Sequence, residues 1–233
     1  MNKIIQSTYL LFLDLLFPKK CVICNCYGNW ICPDCLKDIH LIKTDVCFYC
    51  GKISDRGKIC NRCRRPDGLS GIISSIAYDS KAAKELVHNL KYMGIKDIAQ
   101  LLGEFMVQRV RASKLNFDEF VVVPVPSHKK RQSARGYNQA ELLARYFCFR
   151  TDLSGGSVLD KIRETKPQVS FGRELRLKNI EGSISCADED FILDKKVLLI
   201  DDISTTGATL SECAKVLKQN GAKEVWALVV AHA

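Results

Sequence analysis

Lys196-Val197-Leu198-Leu199-Ile200-Asp201-Asp202-Ile203-Ser204-Thr205-Thr206-Gly207-Ala208-Thr209 is the stretch on which the fold turns. Residues 196–200 are almost wholly apolar and branched, the mark of a strand buried on both faces. A helix carrying Leu210, Cys213, Ala214 and Leu217 follows, Gly221 ends it, and a last strand is expected over 225–230. A strand, a helix and a further buried strand imply a parallel crossover. Ligands of open parallel sheets sit beyond the carboxyl ends of the strands, which makes 201–209 the candidate site.

The residue types there suit a sugar phosphate. Small hydroxyl residues and glycine let backbone N–H groups close around a phosphate, and a helix N-terminus favours its charge. Two carboxylates just before such a loop would repel a bare phosphate, but they suit the hydroxyls of a sugar with Mg²⁺ nearby. A Walker P-loop is excluded, because no GxxxxGK[ST] occurs. The alternative is a plain βα turn with an acidic start.

Outward from this point, the rest of 69–233 alternates in the same way. A strand is expected over 72–78. Ser80 caps a helix with Leu86, Val87, Leu90 and Met93 that stops near Gly94. Asp97 is expected to cap a second helix presenting Ile98, Leu101, Leu102, Phe105 and Val110 on one face. Residues 120–123 form another doubly buried strand, and Asn138-Gln139-Ala140-Glu141 is a capping-box pattern opening a helix to about Phe149. Residues 163–185 are polar, basic and aperiodic, which suits a functional loop. The fold class is α/β with a mainly parallel sheet and a metal-bearing appendage in front of it.

That appendage is read from cysteine. Of twelve cysteines, nine lie between residues 21 and 63, and eight of those form four CxxC pairs: Cys21/Cys24, Cys32/Cys35, Cys47/Cys50 and Cys60/Cys63. A CxxC turn aims two thiolates at one ion about 2.3 Å away, so four pairs make one or two structural Zn²⁺ sites of four cysteines each. Sequential pairing is the simplest arrangement, with Cys26 left as the odd thiol. Redox-active CxxC and iron–sulfur ligation are the alternatives. The bland view is that metal holds together a segment too poor in core to fold alone. Closed four-thiolate sites leave no position for a substrate.

The chain has 233 residues, enough for a medium domain and a small one, with 47% hydrophobic and 26% charged residues; this excludes a disordered chain. Its formal charge of +9 suggests an anionic partner. Eight ligating thiolates and two Zn²⁺ bring that to about +5, which weakens any argument from global basicity. Residues 1–20 read as an apolar helix, either docked on the body or in contact with a membrane. Its apolar run, interrupted by Asp14, is too short to span a bilayer, and no signal-peptide cleavage site follows, so a cytoplasmic protein is expected. The expected domains are 1–20, 21–66 and 69–233.

The 201–209 motif resembles the phosphoribosyl-diphosphate (PRPP) loop of type I phosphoribosyltransferases. Val123-Pro124-Val125-Pro126-Ser127-His128, followed by Lys129, Lys130, Arg131 and Arg135-Gly136-Tyr137-Asn138-Gln139, is similar to the VPVP…R…RG[FY]NQ segment of the ComF (ComFC) competence-protein family. The stretch Arg163-Glu164-Thr165-Lys166-Pro167-Gln168 and Arg173 to Asn179 resembles that family's T-x-x-Q and R-x-x-N segment. One departure is Phe171-Gly172-Arg173-Glu174-Leu175-Arg176, where the family usually has Leu-x-x-x-Glu-Arg.

The resemblance implies that Asp201 and Asp202 meet the ribose hydroxyls, while Ser204, Thr205, Thr206, Gly207, Ala208 and Thr209 hold the 5′-phosphate. It makes Pro126, Ser127, His128 and Lys129 the pyrophosphate loop, with Arg131 or Arg135 reaching it, and 163–183 a mobile loop bearing Arg163, Thr165, Gln168, Arg173 and Asn179. Mg²⁺ accompanies PRPP or a related phosphoribosyl ligand. The family role is natural competence, with single-stranded DNA and competence helicase or recombination proteins as implied partners. Two functions follow: a phosphoribosyl transfer enzyme with no acceptor specified, or a non-catalytic DNA-uptake accessory. For the second, residues 127–150 carry six Lys/Arg against one Glu, but only Tyr137 and Tyr146 offer stacking. With the sequence stopping at Ala233, directly after the last expected strand, the hood over the acceptor is expected from the helices over 80–111, with Lys91-Tyr92-Met93-Gly94 as its edge, from the zinc ribbons, or from both.

Overall fold

The structure is a computed structural model that describes residues 18–164 and 179–232. The expected N-terminal helix, and Thr165, Gln168 and Arg173 of the expected mobile loop, lie outside the described residues.

Four strands form one parallel sheet: β1 (Gly71–Ala77), β2 (Phe120–Pro124), β5 (Lys196–Ser204) and β6 (Glu224–His232), in the order β1-β6-β5-β2. The register places Pro124 beside Ile200, and Asp201 beside Val229. Helices α2 (Lys81–Tyr92), α3 (Ile98–Ser113), α4 (Lys129–Arg135) and α5 (Gln139–Thr151) arise between the first two strands or after the second, and α6 (Ala208–Gln219) joins β5 to β6. A short antiparallel pair, β3 (Leu159–Lys161) with β4 (Ile184–Cys186), stands apart from the sheet.

Period-two alternation sends successive β5 side chains to opposite faces. Leu198 and Ile200 pack with Leu86, Leu102, Met106, Leu143 and Phe147 on the α2/α3/α5 side. Val197 and Leu199 pack with Leu210, Cys213, Ala214 and Leu217 of α6 on the other. Gly71 is required by close approach: a Cβ there would lie 2.2 Å from the Trp226 ring of the neighbouring strand.

The expected caps have different fates. Ser80 accepts from the Ala83 N–H at 3.1 Å, and Asn138 accepts from Ala140 at 3.2 Å. Asn138 also donates to the Val125 carbonyl at 3.0 Å, while Glu141 pairs with Arg145 rather than closing a capping box. Asp97 does not cap: it has helical dihedrals, accepts from Trp30 Nε1 at 3.2 Å and pairs with Lys19 at 3.4 Å. Met93 terminates α2 with 64% of its surface exposed instead of joining the packed face.

The cysteine-rich segment, including the short helix α1 (Pro33–Leu36), runs along the free edge of β1. Antiparallel bridges join Leu41 to Ile76 and Lys58 to Gly71, so the edge is covered instead of left open for another strand. Buried Arg109 of α3 fastens the two parts, pairing with Asp45 and donating to the Ser74 carbonyl at 3.3 Å.

Candidate active site and metal centres

The cysteines converge in two groups. The sulfurs of Cys47, Cys50, Cys60 and Cys63 lie within 4.8 Å of one another, as do those of Cys21, Cys24, Cys26 and Cys32. Sequentially adjacent CxxC pairs are thus brought together. Cys26 belongs to the first group although it was expected to stand apart. Asn25, at φ +62°, turns the chain, and the bridge between Lys20 and Tyr27 folds Cys26 back. Cys35 borders the same group: burial raises its thiol pKa, and so do contacts with Cys32, Cys24 and Cys21. Five thiols therefore surround four tetrahedral positions. Burial opposes ionisation of Cys21 and Cys47, but backbone N–H groups outweigh it and pull both down to about 6, toward the thiolate that zinc requires.

At the carboxyl edge of the sheet, neighbouring strands β2 and β5 set the predicted loops side by side. The Val125 N–H donates to the Ile200 carbonyl at 2.9 Å, so the turn after β2 begins level with the acid pair. His128 opens α4, its ring accepting from the Lys130 N–H at 3.3 Å, and Gly136 at φ +77° ends it. Lys130 pairs with Glu164 at 2.8 Å, and the Arg135 guanidinium lies 5.1 Å over the Tyr92 ring. Arg163 does not point into this turn. It donates to the Glu181 carbonyl at 2.7 Å and the Asn179 carbonyl at 3.3 Å, tying the two ends of its loop.

Strand β5 continues to Ser204, farther than the sequence suggested, so Asp201 and Asp202 lie within the strand, ahead of its last rungs Ile203 and Ser204. Asp201 accepts from the Asp202 N–H at 2.8 Å and Asp202 from the Ile203 N–H at 2.5 Å. Burial, then the like charge of Asp202, pushes the Asp201 carboxyl up to about 7. Two cations answer this charge. Lys91 Nζ lies 3.0 Å from Asp202 Oδ1; burial opposes its charge, but the carboxylate outweighs this and raises its pKa. Lys161 of β3, its pKa lowered by burial and then by Arg131, acts on Asp201. Sequence reading gave Lys91 only as a hood edge and missed Lys161, whose short strand has no periodic signal.

The loop beyond turns on Gly207, at φ +72°, where a Cβ would also lie 2.6 Å from the Phe48 ring. Phe48 belongs to the Cys47–Cys50 turn, and its ring centroid is 4.5 Å from that of His232. His232 donates to the Ser204 carbonyl at 2.9 Å. The second metal centre therefore abuts the loop. Among the described residues, four side chains hold a buried polar atom without a hydrogen-bond partner: Ser127 Oγ, Ser204 Oγ and Thr206 Oγ1 in the two predicted ligand loops, and Gln139 Nε2 at the start of α5. Unpaired buried hydroxyls are costly, so these call for a partner from outside the chain, a water or a ligand. A cavity of about 600 Å³ opens on the flank of α6, lined by Arg62, Arg64, Arg65, Tyr49 and Thr206, rather than over the acid pair. Tyr137 is buried, donating to the Leu90 carbonyl, and Tyr146 bonds Glu104 and Arg150, so neither is a free stacking platform.

Residues 12–64 match the double zinc ribbon domain, and residues 91–233 match the phosphoribosyl transferase domain. The latter covers more than half of the chain, which belongs to the phosphoribosyltransferase domain family and carries a zinc-binding double ribbon ahead of it. Curated relatives match along nearly their whole length. The chain is similar to Competence protein F of Haemophilus influenzae, at 26% identity over 87% of this chain and 97% of that protein. It is also similar to the DNA utilization protein YhgH of Escherichia coli K12, at 27% over 92% and 98%, and to Competence protein ComFC of Streptococcus pneumoniae, at 28% over 94% and 93%. Among the described residues no helix is long and apolar enough to cross a membrane.

Proposed function

We propose that the carboxyl edge of the sheet binds Mg·PRPP, or a related phosphoribosyl ligand, in the cytoplasm, and transfers the phosphoribosyl group to an acceptor. The observation that carries this reading is the set of buried, unpartnered hydroxyls of Ser127, Ser204 and Thr206 in the two loops flanking an acid pair. The α6 N-terminus takes the 5′-phosphate, with no acidic residue in its first turn to oppose it. Asp201 and Asp202 accept from the ribose hydroxyls. Their oxygens suit a hard cation bound together with the ligand's own oxygens, and when bound Mg²⁺ neutralises the pyrophosphate. Pro126, Ser127, His128 and Lys129, with Arg131 or Arg135, receive the departing pyrophosphate as the acceptor bonds to C1 of the ribose. Thr165, Gln168, Arg173 and Asn179 of the 163–183 loop close over the site and exclude water. Catalysis is positional and electrostatic, carboxylates beneath a cationic sugar and basic groups on the leaving group, so no protein nucleophile is needed.

Calorimetric titration of the zinc-loaded chain with PRPP and Mg²⁺, beside Asp201→Asn/Asp202→Asn, tests it. Carboxylate-dependent binding is expected; no binding to a folded protein overturns it.

The names of the relatives, which speak of competence and DNA utilization, favour a second, compatible reading, a role in handling incoming DNA; single-stranded DNA and competence helicase or recombination proteins are the partners that the family resemblance implies. Exposed Lys129 and Lys130, beside Arg131, offer a phosphate-tracking edge. Affinity for single-stranded DNA should fall steeply with salt, and should drop when Lys129, Lys130 and Arg131 become alanine. Normal DNA binding by that triple variant removes the edge from the reading.

A further inference from the structure

An ammonium group already stands on the acid pair. Lys91, in the last turn of α2, reaches Asp202 Oδ1 at 3.0 Å, with 22% of its own side chain and 9% of that of Asp202 exposed. This is not a surface lysine swinging onto a nearby carboxylate. The end of α2 is fastened from below, where Tyr137 donates to the Leu90 carbonyl at 2.5 Å, and from the side, where Arg135 lies over Tyr92. The same Asp202 oxygen also receives the Ile203 N–H. Oδ1, serving an ammonium and an amide, has no lone pair left for a divalent cation, which is left with Oδ2 of a carboxylate whose charge Lys91 already neutralises. A cation arriving alone would also stand beside Lys91 with no anion to separate them. A cation arriving with pyrophosphate brings Lys91 a new anionic partner.

We propose that Lys91 is an internal counter-ion that holds Asp202 in the ligand-free protein and passes to the ligand's pyrophosphate on binding, so that the divalent cation enters with the ligand and not before it. The inference rests on the phosphoribosyl reading of the site. It makes Lys91 a positioning residue that sets the order of binding. Lys161 acts on Asp201, and among the described residues the ion pair on Asp202 is made by Lys91, so Lys161 does not stand in for Lys91 when that side chain is changed.

The test is titration with Mn²⁺ alone, free Mn²⁺ being read by electron paramagnetic resonance, on the full zinc-loaded chain without any phosphoribosyl compound. Wild type and Lys91→Arg should bind Mn²⁺ weakly. Lys91→Met, which keeps the buried stem, should bind it at least tenfold more tightly, and Lys91→Met/Asp202→Asn should lose that gain. Lys91→Gln serves in place of Lys91→Met if thermal melting shows the latter unfolded. Equal Mn²⁺ affinity in wild type and the uncharged variant overturns the proposal. Parallel titration with PRPP and Mg²⁺ separates the two readings. PRPP binding without a Mn²⁺ gain leaves the site and removes the counter-ion; a Mn²⁺ gain without PRPP binding does the reverse.

Discussion

The Tyr49 hydroxyl lies 2.8 Å from Ser211 Oγ, a hydrogen bond across 162 residues that joins a zinc-binding turn to the helix behind the phosphate loop. Next to Tyr49, Phe48 covers Gly207 and touches His232. The second metal centre is thereby a wall of the proposed ligand site as well as a staple for the ribbon. Cys60→Ser should remove one zinc per chain by elemental analysis and weaken Mg·PRPP binding about tenfold or more, because the turn carrying Phe48 and Tyr49 has no core of its own. Ser211→Ala removes only the hydrogen bond, about 0.5–1.5 kcal/mol, and should cost at most about tenfold. Undiminished affinity in zinc-depleted Cys60→Ser would detach the ribbon from the site.

The first metal centre behaves differently, because Cys26 and Cys35 both border Cys21, Cys24 and Cys32. Zinc takes four thiolates, so either cysteine can complete the set. Cys26→Ser and Cys35→Ser should each retain two zinc ions per chain, and the double variant should hold one. Loss of a zinc from Cys35→Ser alone would show that Cys26 does not serve as a ligand.

What was legible in the sequence was contiguous. The acid pair, the hydroxyl loop and Gly207 follow one another within a single strand–loop–helix step, where turn and strand chemistry read directly. Lys91 on Asp202 and Tyr49 on Ser211 were hidden, because each pair comes from elements that only the sheet order brings together. Asp97 misled for a related reason: as a helix-start residue it fits a cap, but Trp30 and Lys19 of the ribbon claim its carboxylate. The end of β5 was placed too early because two aspartates look like a strand stop, yet Asp201 still has Val229 beside it in the ladder.

Gly207 is constrained twice, by a left-handed backbone and by the Phe48 ring at 2.6 Å from a virtual Cβ. Gly207→Ala should therefore lower stability by about 1–3 kcal/mol and weaken phosphoribosyl binding, as denaturant unfolding and calorimetry would show. Adding Phe48→Ala removes the clash but not the backbone strain, so stability should recover in part. Full recovery would mean that the ring contact alone demanded glycine; no recovery would assign the whole cost to φ.

Asp201 makes stability depend on pH in a direction opposite to most carboxylates. Its carboxyl ionises near 3.8 in a free chain and near 7 in the fold, where burial and then Asp202 hold the proton on. Folded protein thus keeps a proton that unfolded chain releases, and stability is lost as pH rises between these values. Asp201→Asn keeps the oxygen that accepts the Asp202 N–H and cannot ionise. Its Tm should match that of wild type near pH 4, then exceed it by a margin growing to on the order of 10 °C by pH 7.5 and level above that. The same variant should lose affinity for Mg·PRPP, trading stability for the charge the sugar hydroxyls require. A Tm difference that stays constant across this range would mean that Asp201 is ionised throughout, with Lys91 and Lys161 neutralising it more strongly than burial opposes it.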